Sequence, residues 1–553
     1  MEKITLSRLI SDGAIFQKNK DIHVWGFAKE GLTVNVSLAL QGDDTGNSAE
    51  SLKGVCDDKG CFEVWFDKKE AGGPYVLTVY AEGCESEKIS FGDIYVGDVF
   101  VISGQSNMEF PMCRVRDTYP EEWDNPNDSA IRTFKVTEHG EFKGPVADVL
   151  TGEWVKFDKD SIDNYSAVGY FMAQRIREHE DIHVGLINLS LGGAPIEAFL
   201  SKEMLAGYDN ALAEAEKYSH DNYRNEVLRL NDVNANRWHE HVDAEDKGLK
   251  ESWQDGSCIL AAGANFMMPE YFSDTELDGF VGSVWFARTF EVPKEYAGKE
   301  AILWFGTITD YDFCYVNGTL IGTTAYCYPP RRYPIPEGLL NEGTNTVVFR
   351  VGVEKGYGRF TPGKLLGVIF GDVRRITDGF TETTEGADMI INLAGCWKYL
   401  IGCGAGATKE IAPSEETVFV NWKSTALFNG MVYPVTKYPI KAFCFYQGES
   451  NCPRAAEYAD LTRRQIEGYR KLWKDEKLPY VCVRLPRFNA RIEEGSYDGG
   501  KAWRGLQEAQ DKVTDIDGAY IVDAYEYGES NDLHPQCKKP VGRMIAEVII
   551  NEC

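Results

Sequence analysis

The sequence predicts an α/β protein in which one strand-and-helix unit is preceded by a β-sandwich and interrupted by a second. Three observations carry this expectation. Buried apolar runs alternate with amphipathic helical stretches over 92–200 and again over 424–553. Short alternating strands separated by Gly, Asp and Asn fill 1–91 and 266–380. The pair Asn317-Gly318, between apolar arms, is a hairpin signal inside the second of these stretches.

In chain order, 1–91 carries the runs 23–27, 34–38, 62–66 and 75–80, short enough for a sandwich that packs on its neighbour. A strand is expected over 98–103. A helix follows over 165–180, where Val168, Phe171, Met172 and Ile176 share a stripe. A second buried strand over 183–189 ends in Ser190-Leu191-Gly192-Gly193. Residues 201–265 read as a polar helical connection, clearest over 203–218. The inserted sandwich spans 266–380, with runs at 284–290, 301–305, 312–318 and 345–351, and 381–423 is a connection. Over 424–553 the expected order is a strand at 442–446, a helix at 457–474, strands at 480–485 and 519–523 around a helix at 503–513, and a closing helix at 540–551 with Pro540 in its first turn. The two α/β halves sum to a five-stranded unit.

At 553 residues the chain has room for roughly three to four domains, at about 150 residues each. Hydrophobics at 43% and charged residues at 26% describe an ordinary globular protein, and the 12% aromatic content suits β modules and carbohydrate contact. A net charge of −28 excludes a nucleic-acid or anionic-membrane surface, and an anionic substrate would need local Arg or Lys. No apolar run of about 18 residues occurs. The start, Met1 to Ser7, has no basic-then-apolar signal pattern, so a cytoplasmic location is expected. The 14 cysteines form no dense framework and are expected reduced and mostly buried. No metal motif is present; His239-Glu240-His241 reads as a solvated helix face, and no cofactor is expected.

The stretch Val99-Phe100-Val101-Ile102-Ser103-Gly104-Gln105-Ser106 is the centre of the chain. A buried strand that ends in Gly and Ser holds a nucleophile at the carboxyl edge of an α/β sheet. A structural turn serine is the commoner meaning of Gly-x-Ser, so the other strand ends decide. Gly192 and Gly193 follow the second strand and Gln447 the third. Asn531-Asp532-Leu533-His534-Pro535 lies between the last strand and the last helix. Of eight histidines, only His534 sits in a loop between a strand and a helix, which makes it the candidate base.

Together, Gly104-Gln105-Ser106-Asn107-Met108, Ser190-Leu191-Gly192-Gly193-Ala194-Pro195, Tyr446-Gln447-Gly448-Glu449-Ser450-Asn451 and Asp532-Leu533-His534-Pro535 resemble the sialate O-acetylesterase family of the SGNH hydrolases. The resemblance implies an SGNH-type, flavodoxin-like three-layer catalytic domain. The insertion, with Trp285 to Phe290 and Val316-Asn317-Gly318, is similar to the jelly rolls of glycoside hydrolases. It further implies Ser106 as nucleophile, His534 as base, and an oxyanion hole from the Ser106 N–H, an N–H of the Gly192-Gly193 turn and the Gln447 amide. The superfamily places an Asp three residues before its His. Here Asn531 stands there and Asp532 is two before; Asp532 is expected to reach Nδ1 as the third catalytic residue, with a backbone carbonyl or Glu449 as the alternatives.

The expected function is serine-dependent removal of acetyl groups from O-acetylated sugars. Tyr446, Arg484, Trp503 and Arg504 are candidate sugar contacts, and Arg484, Arg487 or Arg504 would meet a sialic acid carboxylate. The acidic chain leans toward a neutral sugar. The competing readings are a non-catalytic carbohydrate-binding protein, against which Ser106, Gln447 and His534 argue, and a lipase or peptidase, which lacks an apolar acyl channel. Oligomeric state is not legible.

Overall fold

A computed structural model describes residues 4–42, 48–405, 417–488 and 500–553. Residues 1–3 and 43–47 of the expected N-terminal sandwich, 406–416 of the expected 381–423 connection and 489–499 of the expected 424–553 half lie outside the described residues. The protein is mixed α/β with several sheets.

The α/β unit is built from strands β1 (Ile89–Gly104), β2 (Asn127–Lys135) and β3 (Trp154–Asp158), helix α1 (Ala167–His179), strands β4 (Val184–Asn188) and β5 (Ala442–Tyr446), helix α2 (Ala455–Trp473), strand β6 (Tyr480–Arg484), helix α3 (Lys501–Asp511), strand β7 (Ala519–Asp523) and helix α4 (Lys538–Glu552). Their order across the sheet is β3-β2-β4-β1-β5-β6-β7. All neighbours are parallel except β3 against β2. β4 and β5 are buried along their whole length, as is β1 from Val99 to Ile102, which is why these runs are continuously apolar rather than alternating. Helix α1 packs on α4, and α2 on α3.

The structure differs from the sequence reading at several points. The α/β unit contributes seven strands, not five, to an eleven-stranded sheet among the described residues. β2 was missed because it reads Asn-Asp-Ser-Ala-Ile-Arg-Thr-Phe-Lys; the buried Arg132 within it is satisfied by the carbonyls of Gly13 and Asp93, 2.7 Å each. β1 begins at Ile89, not 98, and crosses the expected junction at 91/92. Its first half pairs antiparallel with Gly72–Ala81, so the N-terminal strands share a sheet with the α/β unit. The clearest helix expected at 203–218 instead starts at Asp209, and a 25-residue helix, Asp221–Glu245, follows it. None of the fourteen cysteines forms a disulfide among the described residues; six are buried, four half-buried and four, Cys84, Cys113, Cys396 and Cys553, exposed.

The inserted β unit has a six-stranded and a four-stranded sheet sharing one core, with Phe286, Leu303, Phe305, Phe349, Val368 and Trp397 at its centre. Asn317 and Gly318, both at positive φ, join Tyr311–Val316 to Thr319–Thr324. The unit does not stop at 380. Met389–Asn392 pairs within the four-stranded sheet, and Gly395–Gly404 pairs with Gly282–Val292 in the six-stranded one, so part of the expected connection is strand. Among the described residues, no helix is long and apolar enough to cross a membrane.

Candidate active site

Four turns meet at the carboxyl edge of the parallel strands: those after β1, β4, β5 and β7. Ile102 registers with Asn188 and Gly104 with Tyr446, so the first three strands end level. Gly104 has φ +125°, and a Cβ there would lie 2.1 Å from the Tyr446 carbonyl oxygen. Only glycine allows β1 to turn this tightly beside β5. The turn feeds a single helical turn, Ser106–Glu109, with Ser106 at its first position. The N–H groups of a first turn have no partner inside their own helix. Ser166, the N-cap of α1, ties this turn to the helix by donating to the Met108 carbonyl at 2.6 Å.

The Ser106 hydroxyl lies 2.7 Å from Nε2 of His534. The residues are 428 positions apart and are brought together by the ends of β1 and β7. The imidazole is buried between Phe110, stacked at 6.1 Å, and the edge of Tyr328 at 4.6 Å; Tyr328 comes from the inserted β unit. Burial pushes the His534 pKa down to about 3, and the charges of Lys538 and Arg114 add to the shift. The ring is therefore neutral near pH 7, and Nε2 can accept the serine proton.

Asp532 does not meet the expectation that it reaches Nδ1. Its Oδ1 accepts the backbone N–H of His534 at 2.9 Å, and Nδ1 has no hydrogen-bond partner among the described residues. A carboxylate two residues upstream closes an Asx-type turn on the backbone more readily than it reaches a side chain. Its other oxygen is 3.6 Å from Lys364 of the inserted unit. Burial raises the Asp532 pKa, with Lys364 opposing. Asn531, three before the histidine, donates to the carbonyls of Pro362 and Phe380 and anchors the loop to the inserted unit.

Glu449 is buried and bonded to the nucleophile turn. It accepts from Asn107 Nδ2 at 2.5 Å, and burial raises its pKa to about 7 despite that bond. Asn107 is a hub. It also donates to the Leu533 carbonyl at 3.1 Å and accepts from buried Lys538 at 2.5 Å. Burial lowers the Lys538 pKa to about 8, with Glu449 opposing, and its ammonium sits 5.1 Å from the Phe110 ring centre and 5.6 Å from that of Tyr446.

Two of the groups expected to form the oxyanion hole have partners within the turns. The Gln447 amide is fully buried and committed: Nε2 donates to Asn451 Oδ1 (2.7 Å), Gln105 Oε1 (3.1 Å) and the Ala194 carbonyl (3.3 Å), and Oε1 accepts from Tyr458 (2.8 Å). It joins the turns after β1, β4 and β5. The Gly192 N–H donates to Glu109 Oε2 at 2.7 Å. A Cβ on Gly192 would lie 3.6 Å from Ser106 Cβ, so this turn abuts the nucleophile.

Among the expected sugar contacts, Tyr446 and Trp503 are core residues, the latter donating to the Pro486 carbonyl. Arg484 is held by Asp511 at 2.9 Å and Asp523 at 3.5 Å. Arg487 donates to the Gly528 carbonyl at 3.4 Å, and Arg504 is exposed on α3. Sequence reasoning missed Gln105, Asn107, Arg114, Tyr328 and Lys538. Gln105, Asn107 and Lys538 flank motif residues and carried that much signal; Arg114 and Tyr328 carried none. Among the described residues, no group of three or more His, Cys, Asp or Glu is placed to hold a metal.

No protein-family model matches the chain. The sialate O-acetylesterase of Rattus norvegicus is 28% identical over 194 residues, 33% of this chain and 34% of its own. That of Homo sapiens is 29% identical over 197 residues, 33% of this chain and 36% of its own. The chain thus matches about a third of the length of these curated relatives. The resemblance to the sialate O-acetylesterase family read from the motifs is borne out by these matches. A solved carbohydrate acetylesterase from Xanthomonas citri superposes on 99% of this chain and 75% of its own, with TM-score 0.55 and 19% identity, a likeness of fold.

Proposed function

We propose that the chain is a serine-dependent carbohydrate O-acetylesterase acting through an acetyl-enzyme. The observation that carries this is the 2.7 Å contact between the Ser106 hydroxyl and a buried, neutral His534. Acetylesterase relatives and the shared fold support it. On this reading the seven-stranded unit is an SGNH-type catalytic domain of flavodoxin-like, three-layer build, and the inserted unit is a jelly roll.

His534 Nε2 takes the Ser106 proton as Oγ attacks the acetyl carbonyl. The tetrahedral oxyanion is met by the Ser106 N–H and an N–H of the Gly192-Gly193 turn; use of Gly192 requires Glu109 to release it. Each such donor is worth about 10²–10³ in turnover. Collapse breaks the ester C–O bond, and His534 returns the proton to the departing sugar oxygen. Water, deprotonated by the same imidazole, then frees acetate and restores Ser106. No third side chain is assigned to Nδ1, so the reacting pair is a Ser–His dyad on a positioned loop.

Ser106→Ala and His534→Ala are each expected to lower p-nitrophenyl acetate turnover by about 10⁴-fold or more. An acetyl adduct on Ser106 should be trapped by mass spectrometry at early times. Turnover that survives in Ser106→Ala would overturn the proposal.

A further inference from the structure

A cleft of about 890 Å³ opens at the Gly192-Gly193 turn, with Gly193 and Ser450 in its lining. Gly193 adjoins Gly192, which abuts Ser106, and the Ser450 hydroxyl donates to the Gly193 carbonyl at 2.7 Å. The volume is at the upper end of the roughly 300–1,000 Å³ of small-molecule sites, far more than an acetyl group needs.

One wall is Trp422. Gly193 has φ +76°, and a Cβ there would lie 2.0 Å from Trp422 Cζ2, so the missing side chain is what lets the indole reach the turn. Phe419, 53% exposed, stacks behind the indole at 4.0 Å. Tyr208 also lines the cleft. Aromatic walls suit the C–H faces of sugar rings, while the remaining lining is polar.

The charge of the lining is one-sided. Glu197, Asp209, Glu214 and Glu457 face it with only Lys423 and Arg454 as cations. Both cations are already paired: Arg454 with Glu197 at 2.7 Å, Lys423 with Glu214 at 3.2 Å. An entering carboxylate would meet excess negative charge and no spare cation. Resting on the esterase reading above, we infer that this cleft is the leaving-group subsite and that it takes a neutral oligosaccharide rather than a carboxylate-bearing sugar.

The test is inhibition of p-nitrophenyl acetate hydrolysis by the unacetylated neutral tetrasaccharides xylotetraose, mannotetraose and cellotetraose, against N-acetylneuraminic acid. At least one neutral tetrasaccharide should raise KM without lowering kcat, at concentrations where N-acetylneuraminic acid does nothing. Trp422→Ala should weaken that inhibition about tenfold. In Glu457→Lys, an exposed change that adds a cation, N-acetylneuraminic acid should begin to compete. Stronger inhibition of the wild type by N-acetylneuraminic acid, or equal inhibition of Trp422→Ala and wild type by the neutral sugars, would overturn the inference. Absence of any esterase activity would count against the esterase reading instead. Calorimetric titration of the full chain with the same sugars then decides the cleft, and no binding by any neutral tetrasaccharide overturns it.

Discussion

His534 is held by its surroundings rather than by a carboxylate on its ring. Asp532 shapes the backbone that carries it, and this makes a sharp distinction between two variants. Asp532→Asn keeps an oxygen able to accept the His534 N–H and is expected to stay within about tenfold of wild-type turnover, whereas an aspartate acting on the ring would lose about 10⁴ in the same variant. Steady-state kinetics on p-nitrophenyl acetate separates the two. Burial, then Lys538 and Arg114, push the imidazole to about 3, so protonation should not switch off kcat/KM near the ordinary value of about 6.5. The rate is expected to hold level as pH falls through that value and to drop only well below it. The same shift sets the sign for stability. Between about 6.5 and about 3 the unfolded chain binds a proton that the native imidazole refuses. The group's contribution is therefore lost as pH falls through that window. An acid limb at the ordinary imidazole pKa would show that solvent reaches the ring.

At the scale of elements, the histidine loop is clamped from outside the α/β unit. Lys364 contacts Glu529 at 2.6 Å, and Arg375 joins Glu529 at 2.5 Å to Glu382 at 2.7 Å. Arg332 links Glu382, at 3.1 Å, to Asp117 at 2.8 Å, and lies 3.6 Å over the Trp304 ring. Burial opposes the ionised form of Glu529, but the Arg375 and Lys364 charges hold its pKa down to about 2. Removing one buried partner strands the others. Lys364→Met is expected to cost about 3–5 kcal/mol in urea denaturation and to lower turnover by loosening the loop. A variant as stable and active as wild type would show that the clamp is idle. This also explains what was legible in the sequence. Val99 to Ile102, β4 and β5 announce themselves because both faces are buried, and Gly104 and Ser106 stand where the first of those runs ends, while His534 follows β7. β2 was silent because its buried arginine is paid for by distant carbonyls. Gln447 and Asp532 were visible as residues, but their hydrogen bonds were not. Which way an amide or carboxylate turns depends on neighbours such as Gln105, Asn451 and Lys364 that lie far along the chain.

Across the whole molecule, two charge patterns act on a substrate at different ranges. The net charge of −28 repels anions at long range, and the lining of the Gly193 cleft repeats that sign at short range. Against both stands Arg114 near the histidine. It makes long contacts to the Tyr326 hydroxyl at 3.5 Å and the Tyr328 carbonyl at 3.4 Å, and its Nε has no hydrogen-bond partner among the described residues. Salt distinguishes which pattern an ester meets. Raising ionic strength from about 0.01 M to about 0.15 M shortens the screening length from about 30 Å to about 8 Å. If the acidic field governs approach, kcat/KM for O-acetylated N-acetylneuraminic acid should rise over that range, while that for neutral p-nitrophenyl acetate stays level. A fall for the anionic ester would mean that a local cation captures it, with Arg114 the group to substitute. The sign of that slope, measured with both esters on the same preparation, thus reads out whether the chain selects its sugar by its overall charge or in spite of it.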